Sequence, residues 1–239
     1  MKTQLFFRIF SMLIFLSGLL NTNLLSEEKV MNQLTEAEQQ AGWKLLFDGK
    51  TSTGWKSSKK ESFPERGWRI EDGTLTVMAG ERGGDIVTVD QYSNFELSLE
   101  FKLTPGANSG IKYFVQPETG LGLEFQVLDD SKHPDANMGV AGNRTLSSLY
   151  DLIPAENRKI NPVGEWNHAR IVVQGSHVEH WLNGVKVLEY NRHSQCFRAL
   201  IQKSKYKDIE NFAQHPQGHI LLQDHGDTVS YRNIKIRVP

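Results

Sequence analysis

The sequence is short of several features that would have settled its class at once. It has a single cysteine, Cys196, in 239 residues, so an intramolecular disulfide framework is excluded and the lone thiol is read as a filler rather than a nucleophile. Basic and acidic residues nearly cancel, leaving a formal net charge of -1. That balance gives no electrostatic case for nucleic acid or an anionic membrane surface as partner. No G-x-S-x-G elbow and no HExxH run occur, so the signatures of a serine hydrolase and of a zincin are both missing. Neither an internal repeat nor a low-complexity stretch interrupts the chain.

Long hydrophobic runs are also scarce. The N-terminus reads MKTQLFFRIFSMLIFLSGLLNTNLLSEE, with Lys2 and Arg8 ahead of an apolar segment from Ile9 to Leu20. That segment is shorter than the roughly 20 residues a spanning helix needs, so residues 1–30 are read as a secretory leader rather than a stable membrane span. No cysteine lies near it, which excludes lipoprotein-type anchoring. Residues 31–42 predict one short helix, since Thr35-Glu-Ala-Glu38 has capping-box spacing and Gly42 is placed to end it.

What remains, residues 43–239, is a series of short alternating runs: WRIEDGTLTV, FELSLEFKL, SGIKYFV, LEFQVL, ARIVVQG, HVEHWLNGVKVLEY, HILLQ and YRNIKIRV. Asp72-Gly73 and Asn183-Gly184 supply hairpin turns within them. Many short strands at even spacing predict an all-β antiparallel sandwich or jelly roll, one domain after the leader. Residues 131–146 and 195–217 are longer polar connections. Loops of that length in a compact sandwich commonly carry function, and the first leaves directly from Asp129-Asp130.

The stretch GLEFQVLDD, residues 122–130, poses the functional question. Leu123, Phe125 and Val127 take one face of a strand, while Glu124 and Gln126 take the other, with Asp130 beyond. In FELSLEFKL the same alternation puts Phe95, Leu97, Leu99, Phe101 and Leu103 inward and ordinary charged residues outward. Elsewhere Asn108, Lys112, Gln223, Asp224, His225, Arg232 and Asn233 add a directional hydrogen-bonding set, suited to a hydroxyl-rich ligand rather than to bare solvation. Five tryptophans, at 43, 55, 68, 166 and 181, could stack on a sugar, although such residues mostly fill the core of a sandwich. His177 and His180 fall on opposite strand faces. Only the fold could gather His133, His180, His219 and His225, and the sequence calls for no metal or other cofactor.

Taken in order, Phe95-Glu-Leu, Asn108-Ser-Gly-Ile111, Glu124-Phe-Gln-Val-Leu-Asp-Asp130, Leu149-Tyr-Asp151, Gly164-Glu-Trp-Asn167, His180-Trp-Leu-Asn-Gly184, Leu222-Gln-Asp-His-Gly226 and Arg232-Asn-Ile234 resemble the DUF1080 family, also described as 3-keto-disaccharide hydrolase or 3-keto-α-glucoside 1,2-lyase / 3-keto-2-hydroxyglucal hydratase. The resemblance runs from about Trp43 to Pro239. It implies a concanavalin A-like jelly roll of two antiparallel sheets with a carbohydrate on the concave sheet, and export, commonly to the periplasm. Lys112 departs from the Arg expected soon after the NSGI run, and a lysine lacks the bidentate fork.

The activity so implied is cleavage of an oxidised glucoside or disaccharide by C2 deprotonation, elimination and hydration. On that reading Glu124 is the first candidate for the base and His225 the second catalytic group, as base or acid. Asn108, Lys112, Gln126, Asp130, Gln223 and Arg232 are candidate substrate contacts. Asn108 has a competing role in shaping its turn, and Arg232 a competing structural pairing with Asp224 or Asp227. Two other readings stand beside it: a carbohydrate-binding protein without turnover, and a conventional two-carboxylate glycoside hydrolase. Gln126 stands where the latter would want a second carboxylate.

Overall fold

The computed structural model describes residues 30–116 and 119–239, so the leader pattern lies outside the described residues. The first element is helix α1 (Glu36–Gln40), whose Thr35 side chain accepts the Glu38 N–H while Glu38 reaches back to the Thr35 N–H. Strands β1 (Trp43–Leu45), β2 (Trp55–Ser57), β3 (Trp68–Glu71), β4 (Thr74–Val77), β5 (Ile86–Thr88), β6 (Phe95–Leu103), β7 (Asn108–Gln116) and β8 (Leu121–Leu128) follow. After a long connection come β9 (Trp166–Gln174), β10 (His177–Leu182), β11 (Val185–Asn191), helix α2 (Gln195–Gln202), β12 (His219–Leu222) and β13 (Val229–Arg237). Among the described residues no helix is long and apolar enough to cross a membrane.

Two sheets face each other. One has eight strands in the order β11-β10-β9-β6-β13-β4-β3, with β1 added to β13; the other has five, in the order β2-β5-β12-β7-β8. Neighbours within each sheet run antiparallel, and the architecture is the concanavalin A-like sandwich. The alternation seen in the sequence sets what is inside. Phe95, Leu97, Leu99, Phe101 and Leu103 of the larger sheet meet Ile111, Tyr113, Leu123, Phe125 and Val127 of the smaller one in a single core. Burying one such Phe fully contributes about 1.5–3 kcal/mol. The hairpin turns form as their sequences dictate, with φ of 48° and 70° at Asp72-Gly73 and 49° and 79° at Asn183-Gly184.

Two features differ from the sequence reading. The connection 195–217 is not wholly irregular: it opens with α2, capped by the Ser194 side chain on the Phe197 N–H and seated through Phe197 and Ile201. The tryptophans also divide. Trp55 and Trp68 are core, while Trp43, Trp166 and Trp181 lie partly covered on the outer face of the larger sheet beside Lys235 and Arg237, Lys102 and Arg232, and Arg170 respectively.

Candidate active site

Because Ile111, Tyr113, Leu123 and Phe125 face the core, alternation turns Gly110, Lys112, Glu124 and Gln126 onto the outer face of the five-stranded sheet. Lys112 stands directly opposite Glu124, and Gly110 opposite Gln126, across the β7–β8 ladder. Both long polar connections fold over this face. With Tyr150, just beyond the first of them, they enclose a pocket lined by Asn108, Lys112, Glu124, Gln126, Gln223 and His225 from the sheet and its ends, and by Asp135, Lys205 and Tyr206 from the connections. The pocket and its mouth hold about 450 Å³ of open space, solvent at the mouth included.

Glu124 is the deepest of the charged groups, with 6% of its surface exposed. Burial pushes its carboxyl above the usual carboxylate range; the nearby Lys112 and Lys205 ammoniums pull it down, and Asp85 pushes it up again. Lys112 Nζ lies 4.0 Å from Glu124 Oε2. Asp85, at the start of β5, also has a raised pKa through burial, and its carboxylate accepts the Asp224 N–H at 2.9 Å. That bond helps shape the turn carrying Gln223 and His225. The Gln223 N–H adds a bond to the Gly110 carbonyl at 3.0 Å.

Gly110 has a specific reason to be glycine, and it is space rather than backbone angle. A Cβ there would stand 2.9 Å from the Glu124 carboxyl carbon. Gly110→Ala should therefore leave the sandwich intact, because the obstructed atoms are the end of a side chain, while pushing the carboxylate aside. We expect turnover to fall about 100-fold, the usual scale for an ångström of misplacement, with Tm changed by only a few degrees. Steady-state kinetics with a melting curve check this, and unchanged turnover would dissociate Glu124 from the chemistry.

The walls come from the connections. Tyr150 donates to Asp135 Oδ2 at 2.8 Å, and Asp135 Oδ1 accepts Arg144 Nη1 at 3.0 Å. Asp135, although it lines the pocket, is thus committed on both oxygens. Lys205 is exposed as a residue, but its ammonium sits 4.0 Å from the Tyr150 ring centre and 5.1 Å from that of Tyr206. Loss of solvent lowers its pKa, against the opposing pull of Glu124. Tyr206 is stacked on Phe212 with centroids 4.0 Å apart, which fixes that side of the pocket. Asn108 is buried and its Oδ1 has no hydrogen-bond partner, a cost of about 1–3 kcal/mol that a ligand hydroxyl reaching the amide would relieve.

Six of the eight candidate residues therefore share one pocket: Asn108, Lys112, Glu124, Gln126, Gln223 and His225. Asp130 and Arg232 do not. Asp130 turns away from the sheet face, accepting the Leu146 N–H at 2.7 Å and pairing with Arg158. Arg232 belongs to the other sheet; its Nε donates to Glu100 Oε2 at 2.7 Å and its guanidinium lies 4.1 Å over Trp166. Its partner is thus Glu100 rather than Asp224 or Asp227. Beside it, Asn233 takes a φ of 53° and exchanges hydrogen bonds with Asn32. Tyr150, Lys205, Tyr206 and Asp135 were not singled out by the sequence, although Tyr150 falls within a quoted motif and the other three within the two connections.

Of the histidines, His180 is buried, its Nε2 sharing a hydrogen bond with the Tyr113 hydroxyl at 2.8 Å; burial lowers its pKa to about 3, so it is a neutral core residue. His219 is likewise buried, at 2.7 Å from the Thr88 carbonyl. His133 and His225 do approach, with ring centroids 5.7 Å apart, and with Asp227 they bring one ligand atom each within 4.8 Å of one another. Within this group His225 Nδ1 lies 4.0 Å from Asp227 Oδ2. In addition, His133 Nδ1 accepts the Asp135 N–H at 3.2 Å and Asp227 Oδ2 accepts the Asn108 N–H at 3.0 Å. These two bonds help hold the loops that carry the residues.

Comparison with known proteins adds to this geometry. Residues 42–237 match the family described as 3-keto-alpha-glucoside-1,2-lyase-like domain. A 3-keto-disaccharide hydrolase of Bacteroides thetaiotaomicron is 37% identical, over 82% of this chain and 78% of that one. A crystal structure of a provisionally assigned glycosyl hydrolase from Parabacteroides distasonis superposes with a TM-score of 0.78 at 32% identity, covering 87% of this chain and 99% of that one. The carbohydrate binding module CBM66 of Bacillus subtilis shares the fold at 12% identity, with a TM-score of 0.50 over 78% of this chain and 96% of its own.

Proposed function

This chain belongs to the 3-keto-alpha-glucoside-1,2-lyase-like family, and we propose that it cleaves 3-keto-glucosides, among them oxidised disaccharides, by elimination followed by hydration. The family and its hydrolase relative support the coarser statement, a carbohydrate hydrolase. The observation that carries the finer one is Glu124, a buried carboxylate of raised pKa on a rigid strand, with no second uncommitted carboxylate lining its pocket among the described residues. A conventional glycosidase needs two such groups flanking the bond, and Asp135 is held by Arg144 and Tyr150.

A ketone at C3 makes one carboxylate sufficient. Glu124 takes the proton from C2; the C–H electron pair becomes the C2–C3 double bond, and the carbonyl pair moves onto the C3 oxygen. When the carbonyl re-forms, the pair shifts into C1–C2 and the C1–O bond breaks. The departing oxygen takes a proton, a part assigned to His225, which lines the pocket. Water then adds across C1–C2, hydroxyl to C1 and proton to C2, so the sum is hydrolysis. Lys112, 4.0 Å from Glu124, holds the base in its ionised form, while Asn108, Gln126 and Gln223 hold sugar hydroxyls. The leader pattern supports export, with action outside the cytoplasm.

The test is NMR of the protein with a 3-keto-glucoside in deuterated water, beside the unoxidised glucoside. Cleavage of the keto sugar alone, with deuterium entering at C2, is the expected result. Cleavage of both without exchange would indicate conventional hydrolysis, and binding without cleavage a carbohydrate-binding protein.

A further inference from the structure

Two lysines line the pocket, and they are not equivalent. Lys112 rises from the sheet floor on the strand next to Glu124, with its side chain 13% exposed and its ammonium 4.0 Å from the carboxylate. It is committed to the base. Lys205 enters from the wall, on the connection after α2, and its ammonium has no carboxylate within ion-pair distance among the described residues. Its place is nevertheless fixed. The Lys205 N–H donates to Asp151 Oδ2 at 2.8 Å, the next residue is stacked on Phe212, and the ammonium itself rests on the Tyr150 ring. A positioned cation that makes no direct ion pair among the described residues, facing the same space as a base, is what a reaction that develops negative charge requires.

We propose that Lys205 is a catalytic residue, whose ammonium meets the C3 oxygen of the bound sugar and carries the enolate charge once the C2 proton has passed to Glu124. This rests on the elimination reading above. The base approaches from the sheet floor, along the C2–H bond, and the cation from the wall, toward the carbonyl in the ring's mean plane, so one sugar orientation satisfies both. Lys112 cannot take this part without abandoning Glu124. The step needs no oxidant or co-reactant: one C–H bond breaks, one carboxyl O–H forms, and the electron pair ends on an oxygen beside a fixed positive charge. Aromatic contact with Tyr150 and the lowered pKa of Lys205 fit an ammonium partly stripped of water, whose field is correspondingly stronger.

The experiment separates this proposal from the one beneath it by removing the leaving group. A 1,5-anhydro-3-keto sugar has no substituent at C1 to expel, so deuterium uptake at C2 reports deprotonation and enolate stabilisation alone. Uptake at C4, the other carbon beside the ketone, gives the uncatalysed background. The wild-type protein should exchange C2 well above C4. Lys205→Met should slow C2 exchange about 100-fold, the usual loss for one charge-stabilising donor, with the dissociation constant of the sugar little changed, and Lys205→Arg should restore part of it. If the wild type fails to exchange C2, the C2-base reading itself falls. If the wild type exchanges and Lys205→Met exchanges equally fast with an unaltered melting curve, Lys205 is not the enolate's partner. A loss confined to sugar affinity would reduce Lys205 to a binding contact.

Discussion

Glu124→Gln should lower turnover of a 3-keto-glucoside by about 10²- to 10⁴-fold, the span of a positioned general base, while sugar binding persists. The carboxamide keeps the shape of the side chain and its place on β8, but it cannot accept the C2 proton. Pre-steady-state binding by fluorescence and turnover by NMR measure the two properties separately. Retained turnover would remove Glu124 from the base role and point to His225. The same residue sets the pH behaviour. Its carboxyl is pushed up by burial, so the acid limb of kcat/KM lies above where an ordinary carboxylate would put it, activity falling as pH drops through that raised pKa.

Stability moves in the opposite sense. A folded-state pKa raised above the unfolded value means that the protonated, neutral form is the one the fold favours. The contribution is fully present at pH below the unfolded value and is lost as pH rises through the folded one. At neutral pH the wild-type protein therefore holds an ionised carboxylate in a place that prefers a neutral group. Glu124→Gln should melt higher than wild type at neutral pH, and the gap should close toward acid. A stabilised but inactive variant is the expected exchange at a site built for chemistry. A variant that melts lower at neutral pH would show instead that the Lys112 pairing outweighs the cost of burial.

How much of this was legible beforehand depended on periodicity. The period-two alternation in FELSLEFKL and LEFQVL fixed which residues of β6 and β8 enter the core, and from that the outward direction of Glu124 and Gln126 follows. The Asp-Gly and Asn-Gly turns were equally readable, since only a few residues tolerate positive φ. Alternation says nothing about which sheet a strand joins, and so Arg232, outward on β13, could not be told from a pocket residue. It lies on the far side of the sandwich, against Glu100 and Trp166. Asp130 sits two residues past the end of β8, where the alternation stops applying.

The walls were the hardest part, because irregular connections carry no period. Lys205 appeared only as one charge in a Lys-rich stretch, although Phe197, Leu200 and Ile201 gave an i, i+3, i+4 hint of the helix that positions it. The tryptophans misled in the other direction. Aromatic stacking surfaces are present in the pocket, but Tyr150 and Tyr206 supply them. The partly exposed tryptophans lie on the opposite sheet under cationic side chains.

Asp151→Ala should do the most damage away from the sheet floor, because this one carboxylate joins the two connections that roof the pocket. Its Oδ1 accepts Arg144 Nε at 2.7 Å and its Oδ2 the Lys205 N–H at 2.8 Å. Through Arg144 it steadies Asp135 and, in turn, Tyr150. It is buried, and it takes a φ of 61°, a conformation that Asp and Asn adopt far more readily than Ala. Removing it leaves a largely buried guanidinium with half its partners and an amide with none, at a cost of about 3 kcal/mol. For a domain of this size that is a fall in Tm of roughly 6–12 °C. Turnover should drop about 100-fold as well, because Lys205 and Tyr150 lose their common anchor. Asp151→Asn keeps one oxygen and the backbone preference, so it should recover part of both quantities. If Asp151→Ala melts and turns over like the wild type, the two connections hold their places independently, and the wall bearing Lys205 owes its position to the Tyr206–Phe212 stack instead.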